Sequence, residues 1–310
     1  MPEELDGHPQ ANVITVLHNS APTLTDYFAG LEAQRDHIAQ VVLVDNGSTD
    51  GTAEIARRHA ETSGLAVTVV SNDNAGFAGG YAAGGPLVAD QDLPTLCLNP
   101  DVRLGASVLR ICLDALAGDH SVAIVTAPLQ LPDGSMDPAS VRRHPSLAGA
   151  AVYAALGKLT PGRLKYNRVA PAETPGVHPY VIEATTGALM LVSPRFRRAR
   201  DGIFDTDYWM YGEDLQLCID AHSEGMTVLM VDAPPSLHVK GVSSGLPRKP
   251  RSNVEFHRAM YLYFVKNMHP SVAMRVFVRV AVTGRLLVSL ALSAATRGVR
   301  ELRKNRGLRA

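Results

Sequence analysis

The sequence predicts an open, mostly parallel α/β sheet with helices on both faces and a basic helical extension at its C-terminal end. Three observations carry that reading. β-rich apolar runs alternate with helix-period segments through the N-terminal half. Each run stops in a cluster of polar turn residues, the position where open α/β sheets hold ligands. Past residue 252 the pattern turns helical and the charge changes sign.

The elements follow in order. Residues 12–17 (Asn-Val-Ile-Thr-Val-Leu) form a strand that ends at His18-Asn19-Ser20, and helix periodicity follows over about 23–34. Val41-Val42-Leu43-Val44 is a fully apolar strand, as in a sheet covered on both faces. It ends at Asp45-Asn46-Gly47-Ser48-Thr49-Asp50-Gly51, and a helix resumes near 52–62, for which Ser48 or Asp50 is the natural cap. Val67-Thr68-Val69-Val70 ends at a glycine-rich turn through Gly80, and Leu96-Cys97-Leu98 ends at Asn99-Pro100-Asp101. Residues 128–180 are rich in Pro, Gly and turn formers and read as an irregular excursion. Residues 183–192 return to the sheet, a helix spans about 213–224, and a strand at 228–231 leads to His238.

At 310 residues, with 46% hydrophobic and 19% charged residues, the chain is globular in composition. Its net charge of zero conceals a split. Residues 1–239 hold 15 Lys and Arg against 28 Asp and Glu, whereas residues 240–310 hold 15 against 2. An acidic body with a basic tail points to an anionic surface, and a membrane suits the apolar helix better than nucleic acid does. From 271 to 296 the chain is mostly Val, Leu and Ala, broken by Arg275, Arg279 and Arg285. The longest charge-free run, Leu286 to Thr296, is shorter than a bilayer span, so the expectation is a helix lying in the interface. Packing on the chain's own body, or in a homodimer, is the alternative use of that helix. The domain expectation is a body over 10–250 and a helical segment over 251–310. Cys97, Cys112 and Cys218 sit in apolar contexts without metal-type spacing and read as buried reduced thiols. The N-terminus lacks the apolar core of a signal peptide, and the expected location is cytoplasmic, peripheral on the inner face of the membrane. A dehydrogenase is disfavoured because no G-x-G-x-x-G turn follows the first strand at 17–22.

Five segments in order carry a resemblance: Val-Asp-Asn-Gly-Ser-Thr-Asp-Gly-Thr (44–52), Asn-Ala-Gly-Phe-Ala-Gly-Gly (74–80), Leu-Asn-Pro-Asp-Val (98–102), Thr-Gly-Ala-Leu-Met-Leu-Val (186–192) and Phe-Asp followed by Tyr-Trp-Met-Tyr-Gly-Glu-Asp (204–214). The chain resembles family 2 of the inverting glycosyltransferases, which have the GT-A fold, over roughly 12–265. Within that family it is most similar to bacterial rhamnosyltransferases acting on GlcNAc-diphosphoryl-polyprenol. Pro132-Asp133-Gly134-Ser135, Pro145-Ser146-Leu147 and the region from His238 to Tyr261 carry the narrower likeness.

The resemblance implies a nucleotide-sugar donor, dTDP- or UDP-linked, and a lipid-linked glycan acceptor. Asp45 would accept the imide hydrogen of a pyrimidine base, with Asn19, Asn74 and Gly76 lining the same pocket. Asn99 stands where an Asp-x-Asp motif has its first acid, so Asp101 would hold Mn2+ or Mg2+ with His238, the remaining positions going to diphosphate oxygens and water. Asp214 would be the general base, with Glu213 supporting it. Thr186, Gly187 and Trp209 would shape the acceptor site. Lys240, Arg248, Lys249 and Arg251 would close over the diphosphate, and His257 would face the lipid diphosphate. Gln216 replaces a further acid, Ala82 an asparagine, and Gly85-Pro86 interrupts the helix after Gly80. The preferred donor is dTDP-L-rhamnose. A UDP-sugar such as galactofuranose or GlcNAc, or a homologue without catalysis, is the alternative.

Overall fold

The computed structural model describes residues 8–146, 167–168, 179–200, 202–240 and 249–307. Strand β1 (Ala11–Leu17), helix α1 (Leu24–Glu32), β2 (Ile38–Asn46), α2 (Thr52–Thr62), β3 (Val67–Asn72), α3 (Gly76–Gly84) and β4 (Thr95–Leu98) build the N-terminal half. Then come β5 (Val102–Arg103), α4 (Val108–Gly118), β6 (Val122–Thr126), β7 (Leu129–Gln130), β8 (Val141–Arg142), β9 (Asn167–Arg168) and β10 (Tyr180–Ile182). The C-terminal half holds β11 (Leu189–Val192), α5 (Pro194–Arg198), α6 (Glu213–Ser223), β12 (Thr227–Met230), β13 (Ser236–His238), α7 (Pro250–Met268) and α8 (Val272–Gly307).

An eight-stranded sheet runs in the order β10-β12-β6-β11-β4-β1-β2-β3. The pairs β1–β2, β1–β4, β2–β3 and β6–β12 are parallel, and β10 and β11 run antiparallel to their neighbours. This is the mixed, mostly parallel sheet that the GT-A resemblance implies. Alternation along the strands divides the core into two layers. Val13, Leu17, Val41 and Leu43 pack with Leu24, Tyr27, Phe28 and Leu31 of α1 and Leu109, Cys112 and Leu113 of α4. Ile14, Val16, Val42 and Val44 pack on the other face with Tyr81 of α3, Phe196 of α5 and Leu217 and Cys218 of α6. The α1 residues recur at the three- and four-residue spacing that presents one apolar stripe.

Several sequence expectations shift. The return to the sheet begins at Leu189, because Ala184 instead bridges to Arg142 outside the sheet. Helix α4 and strand β6 received no reading from sequence. The strand expected at 228–231 is β12, and His238 beyond it ends a further strand, β13, the centre of a small sheet β5-β13-β7. The excursion over 128–180 lies mostly outside the described residues. The three thiols are buried, and burial pushes Cys112 and Cys218 up to about 12.

Helix α7 starts at Pro250 and packs on the body through Ala259 and Tyr263 against Tyr208. A reciprocal amide pair, Gln216 to Asn267 at 3.2 Å and Asn267 to Gln216 at 2.8 Å, joins α6 to α7. That is the work of the glutamine at the position where an acid was expected. Asn253 of α7 donates to Ser289 of α8 at 2.9 Å, holding the last helix along α7. The stretch Val272–Thr296 has a mean hydropathy of 1.7 and no buried share, so by length and composition it is apolar enough to cross a membrane. The charge-free run understated it, since isolated arginines leave the average apolar.

Candidate functional site

The site is assembled on the carboxyl ends of the parallel strands. At the end of β2, Asp45 is buried and its Oδ1 accepts the Ser48 N–H at 3.3 Å. Its neighbour Asn46, unremarked in the sequence, is the hub. Asn46 Nδ2 donates to the Gly76 carbonyl at 2.8 Å, and its Oδ1 accepts from Asn72 at 2.9 Å and from the Ala75 N–H at 3.2 Å. Gly76 has φ +82, and a Cβ there would stand 2.0 Å from the Trp209 carbonyl oxygen. Only glycine lets that backbone approach. Asn74 caps the turn by accepting the Gly76 N–H at 3.3 Å. Asn19, at φ +52, clamps the β2 loop by accepting the Thr49 N–H at 2.8 Å. Asp50 serves α2, accepting the Thr52 N–H at 3.1 Å. Asn19, Asp45, Asn74 and Gly76 therefore share one loop cluster.

The small sheet builds the second part. Strands β5 and β13 pair His238 with Val102, and the Val239 N–H donates to the Asp101 carbonyl at 2.8 Å. This register brings the imidazole over the Asp101 side chain, with His238 Nε2 3.5 Å from Asp101 Oδ1. That separation is too long for a good hydrogen bond, and Asp101 Oδ1 is buried with no hydrogen-bond partner. The other ring nitrogen, Nδ1, meets Asp137 Oδ2 at 2.8 Å. Burial opposes charge on His238, but the carboxylates of Asp101 and Asp137 outweigh it and raise its pKa. Asp137 is buried too, yet hydrogen bonds from His238 and Lys240 draw it down to about 2.

An orphaned buried carboxylate oxygen facing an imidazole nitrogen, with the opposite nitrogen fixed by a second carboxylate, is a donor set suited to a divalent cation. Among the described residues no three His, Cys, Asp or Glu side chains are arranged to hold a metal ion on their own. Two protein donors leave positions for diphosphate oxygens and water.

The third part lies at the start of α6. Tyr211 and Gly212 adopt left-handed backbone, φ +73 and +90, turning the chain sharply before Glu213 and Asp214. A tyrosine there is strained, and such strain collects at functional sites. Asp214 Oδ2 accepts the Gly187 N–H at 3.1 Å and an ion pair from Arg142. Glu213 is buried with its Oε2 unpartnered, and burial, then the charge of Asp214, push its carboxyl up to about 8. Two adjacent acids thus sit in opposed environments: a neutral Glu213 and a paired Asp214.

One residue joins the two halves. Ala188 accepts the Asn99 N–H at 2.9 Å, next to the Gly187 N–H that holds Asp214. Asn99-Pro100-Asp101 and Glu213-Asp214 are therefore neighbours across β4 and β11.

The outlying candidates are placed as follows. Thr186 is half-buried beside Gly187. The Trp209 ring carries the Arg251 guanidinium 4.1 Å from its centroid, so one face is covered by protein. Lys240 pairs with Asp137. His257 is buried on α7, its Nδ1 2.8 Å from the Asn253 carbonyl. Arg248 and Leu147 lie outside the described residues. Asp137 and Arg142 are the functional candidates that sequence reasoning missed. Both fall just after Pro132-Asp133-Gly134-Ser135, and that motif was the available signal.

Comparison with known proteins bears on the same segments. Residues 12–133 match the family model "Glycosyl transferase family 2". Two strains of Mycobacterium tuberculosis hold an N-acetylglucosaminyl-diphospho-decaprenol L-rhamnosyltransferase 29% identical over 271 residues, covering 83% of this chain and 84% of the relative. Among solved structures, a mannosyltransferase from Pyrobaculum calidifontis in complex with GDP-Man and Mn2+ aligns with TM-score 0.56 and 18% identity, covering 98% of this chain and 81% of that one. S. aureus TarS, residues 1–349, with UDP-GlcNAc aligns with TM-score 0.54 and 15% identity, covering 87% and 70%.

Proposed function

We propose that this chain, whose residues 12–133 match the glycosyl transferase family 2 model, is an inverting enzyme that moves L-rhamnose from a deoxythymidine diphosphate donor to a hydroxyl of a polyprenyl-diphosphate-linked GlcNAc. The sugar and the acceptor come from the rhamnosyltransferase relatives. The observation that carries this reading is the Asn99–Ala188 hydrogen bond beside the Gly187–Asp214 one, which ties the Asn99-Pro100-Asp101 turn and the start of α6 to adjacent residues of one segment.

Asp214 takes the proton of the acceptor hydroxyl. The oxygen attacks the anomeric carbon as the carbon–oxygen bond to the diphosphate breaks on the opposite face. The electron pair leaves with the nucleoside diphosphate. Asp101 and His238 would hold Mn2+ or Mg2+, which neutralises charge on the departing diphosphate. Asp45 reads the pyrimidine from the end of β2, and Asn46 holds the loop against which the base rests. Trp209 and Arg251 act together at the rim, linking the Gly76 loop to the start of α7.

The lipid acceptor is reached from the membrane through α8. Val276, Phe277, Val280, Leu287 and Val288 are exposed and fall within a roughly 120° arc of the helix, with Val272, Met274 and Leu292 exposed at its borders. Arg275 and Arg279 project from the other side, as in helices that lie in the interface of an anionic membrane.

The test is transfer with a panel of dTDP-, UDP- and GDP-sugars, with chelator and with added manganese. The expected result is a pyrimidine-nucleotide donor, metal-dependent turnover and an inverted anomeric centre in the product. Preference for a GDP-sugar contradicts the role given to Asp45, and full turnover in chelator contradicts the role of Asp101 and His238.

A further inference from the structure

We propose that Arg142 is a positioning residue for sugar transfer, holding Asp214 by one carboxylate oxygen so that the other takes the acceptor proton. The inference rests on Asp214 being the general base.

The two oxygens of Asp214 are used unequally. Oδ2 accepts from the Arg142 guanidinium and from the Gly187 N–H at 3.1 Å. Oδ1 accepts the Leu215 N–H at 2.8 Å, its one donor among the described residues. A carboxylate oxygen has two lone pairs, so Oδ2 is filled and Oδ1 keeps one for a proton. When the acceptor O–H bond breaks, the new O–H bond forms at Oδ1. Arg142 keeps its charge throughout, since guanidinium does not give up its proton in proteins.

Arg142 is built to stay in place. Its backbone exchanges hydrogen bonds with Ala184 in both directions, at 2.8 and 3.1 Å. The same Nη2 that pairs with Asp214 also donates to the Thr185 carbonyl. Thr185 in turn donates its hydroxyl to the Ser140 carbonyl at 2.9 Å. The side chains of Arg142 and Asp214 are only 13% and 12% exposed, so the pair is sheltered from competing water. The two N–H bonds of Nη2, fixed in the guanidinium plane, hold both partners at once, and a lysine ammonium supplies the charge without that planar geometry. The segment that carries Arg142 also carries Asp137, the partner of His238. One short stretch therefore supports the imidazole at one end and the base at the other.

The experiment compares Arg142→Ala, Arg142→Lys, Asp214→Asn and the Arg142→Ala/Asp214→Asn pair in the full chain, reading kcat, donor KM, donor binding by calorimetry and thermal unfolding. Arg142→Ala should lower kcat by about 10²-fold, the size of a misplaced catalytic group, with donor KM changed less than about threefold. Arg142→Lys should recover roughly a tenth of the lost rate, and Arg142→Ala should cost nothing further in the Asp214→Asn background. Should Arg142→Ala not fold, Arg142→Gln takes its place, with rates expected in the order Arg, Lys, Gln. A kcat within about threefold of wild type, or an equal further loss on top of Asp214→Asn, overturns the proposal. If Asp214→Asn itself transfers sugar at the wild-type rate, the base assignment falls and takes this inference with it. A dead Asp214→Asn beside a normal Arg142→Ala overturns the inference alone.

Discussion

The Nδ1 of His238 and the Oδ2 of Asp137 meet at 2.8 Å, which leaves Nε2 turned toward the orphaned Oδ1 of Asp101. A carboxylate that accepts a hydrogen bond from Nδ1–H fixes the tautomer in which Nε2 carries the lone pair. Asp137→Asn should therefore weaken Mn2+ binding by about 10- to 100-fold. Titration of the free protein followed by electron paramagnetic resonance measures this directly. An unchanged affinity would mean that Asp137 serves only the fold.

Glu213 sets a pH dependence of stability. Its folded pKa is raised from 4.5 to about 8, chiefly by burial. The group's contribution is complete below its unfolded value of 4.5 and is lost as pH rises through about 8. Melting temperatures across that window should fall more steeply for the wild type than for Glu213→Gln. Parallel curves for the two proteins would remove Glu213 as the source.

Gly76 and Gly134 share φ +82 but differ in surroundings: a Cβ at Gly76 meets the Trp209 carbonyl at 2.0 Å, whereas at Gly134 nothing lies within 4 Å. Gly134→Ala should cost about 1 kcal/mol of backbone strain, and Gly76→Ala several times that, because a main-chain contact must open. Chemical denaturation of both variants checks the ranking. Equal costs would contradict the packing of Trp209 on the Gly76 loop.

The arrangement of α8 predicts membrane binding. Flotation of the full chain with phosphatidylserine vesicles should weaken with salt, and Phe277→Asp with Val280→Asp should abolish it. Binding that survives both changes would mean that another surface contacts lipid.

Much of the architecture was legible because strand and helix periods are local. Val41 to Val44 and the helix at Thr52–Thr62 could be placed from pattern alone. Asp101, His238 and Asp214 were legible as motif residues, each standing where a strand ends or a helix begins. Asp137 and Arg142 were not, because their meaning depends on partners 101 and 72 residues away in the chain. Strand β6 was missed because Val122–Thr126 precedes a Pro- and Gly-rich stretch that masked its end. Arg251 over Trp209 was illegible for the reason that hid Asn267 behind Gln216: a contact between α7 and the body leaves no periodic trace.

The central claim, that Asp214 accepts the acceptor proton beside a cation held by Asp101 and His238, is tested most directly by Asp214→Asn with a dTDP-L-rhamnose donor and a polyprenyl-diphosphate GlcNAc acceptor. The account predicts that kcat falls by about 10³-fold or more while the Kd of the donor with Mn2+ stays within about threefold. Transfer by the asparagine variant within about tenfold of the wild-type rate would contradict it.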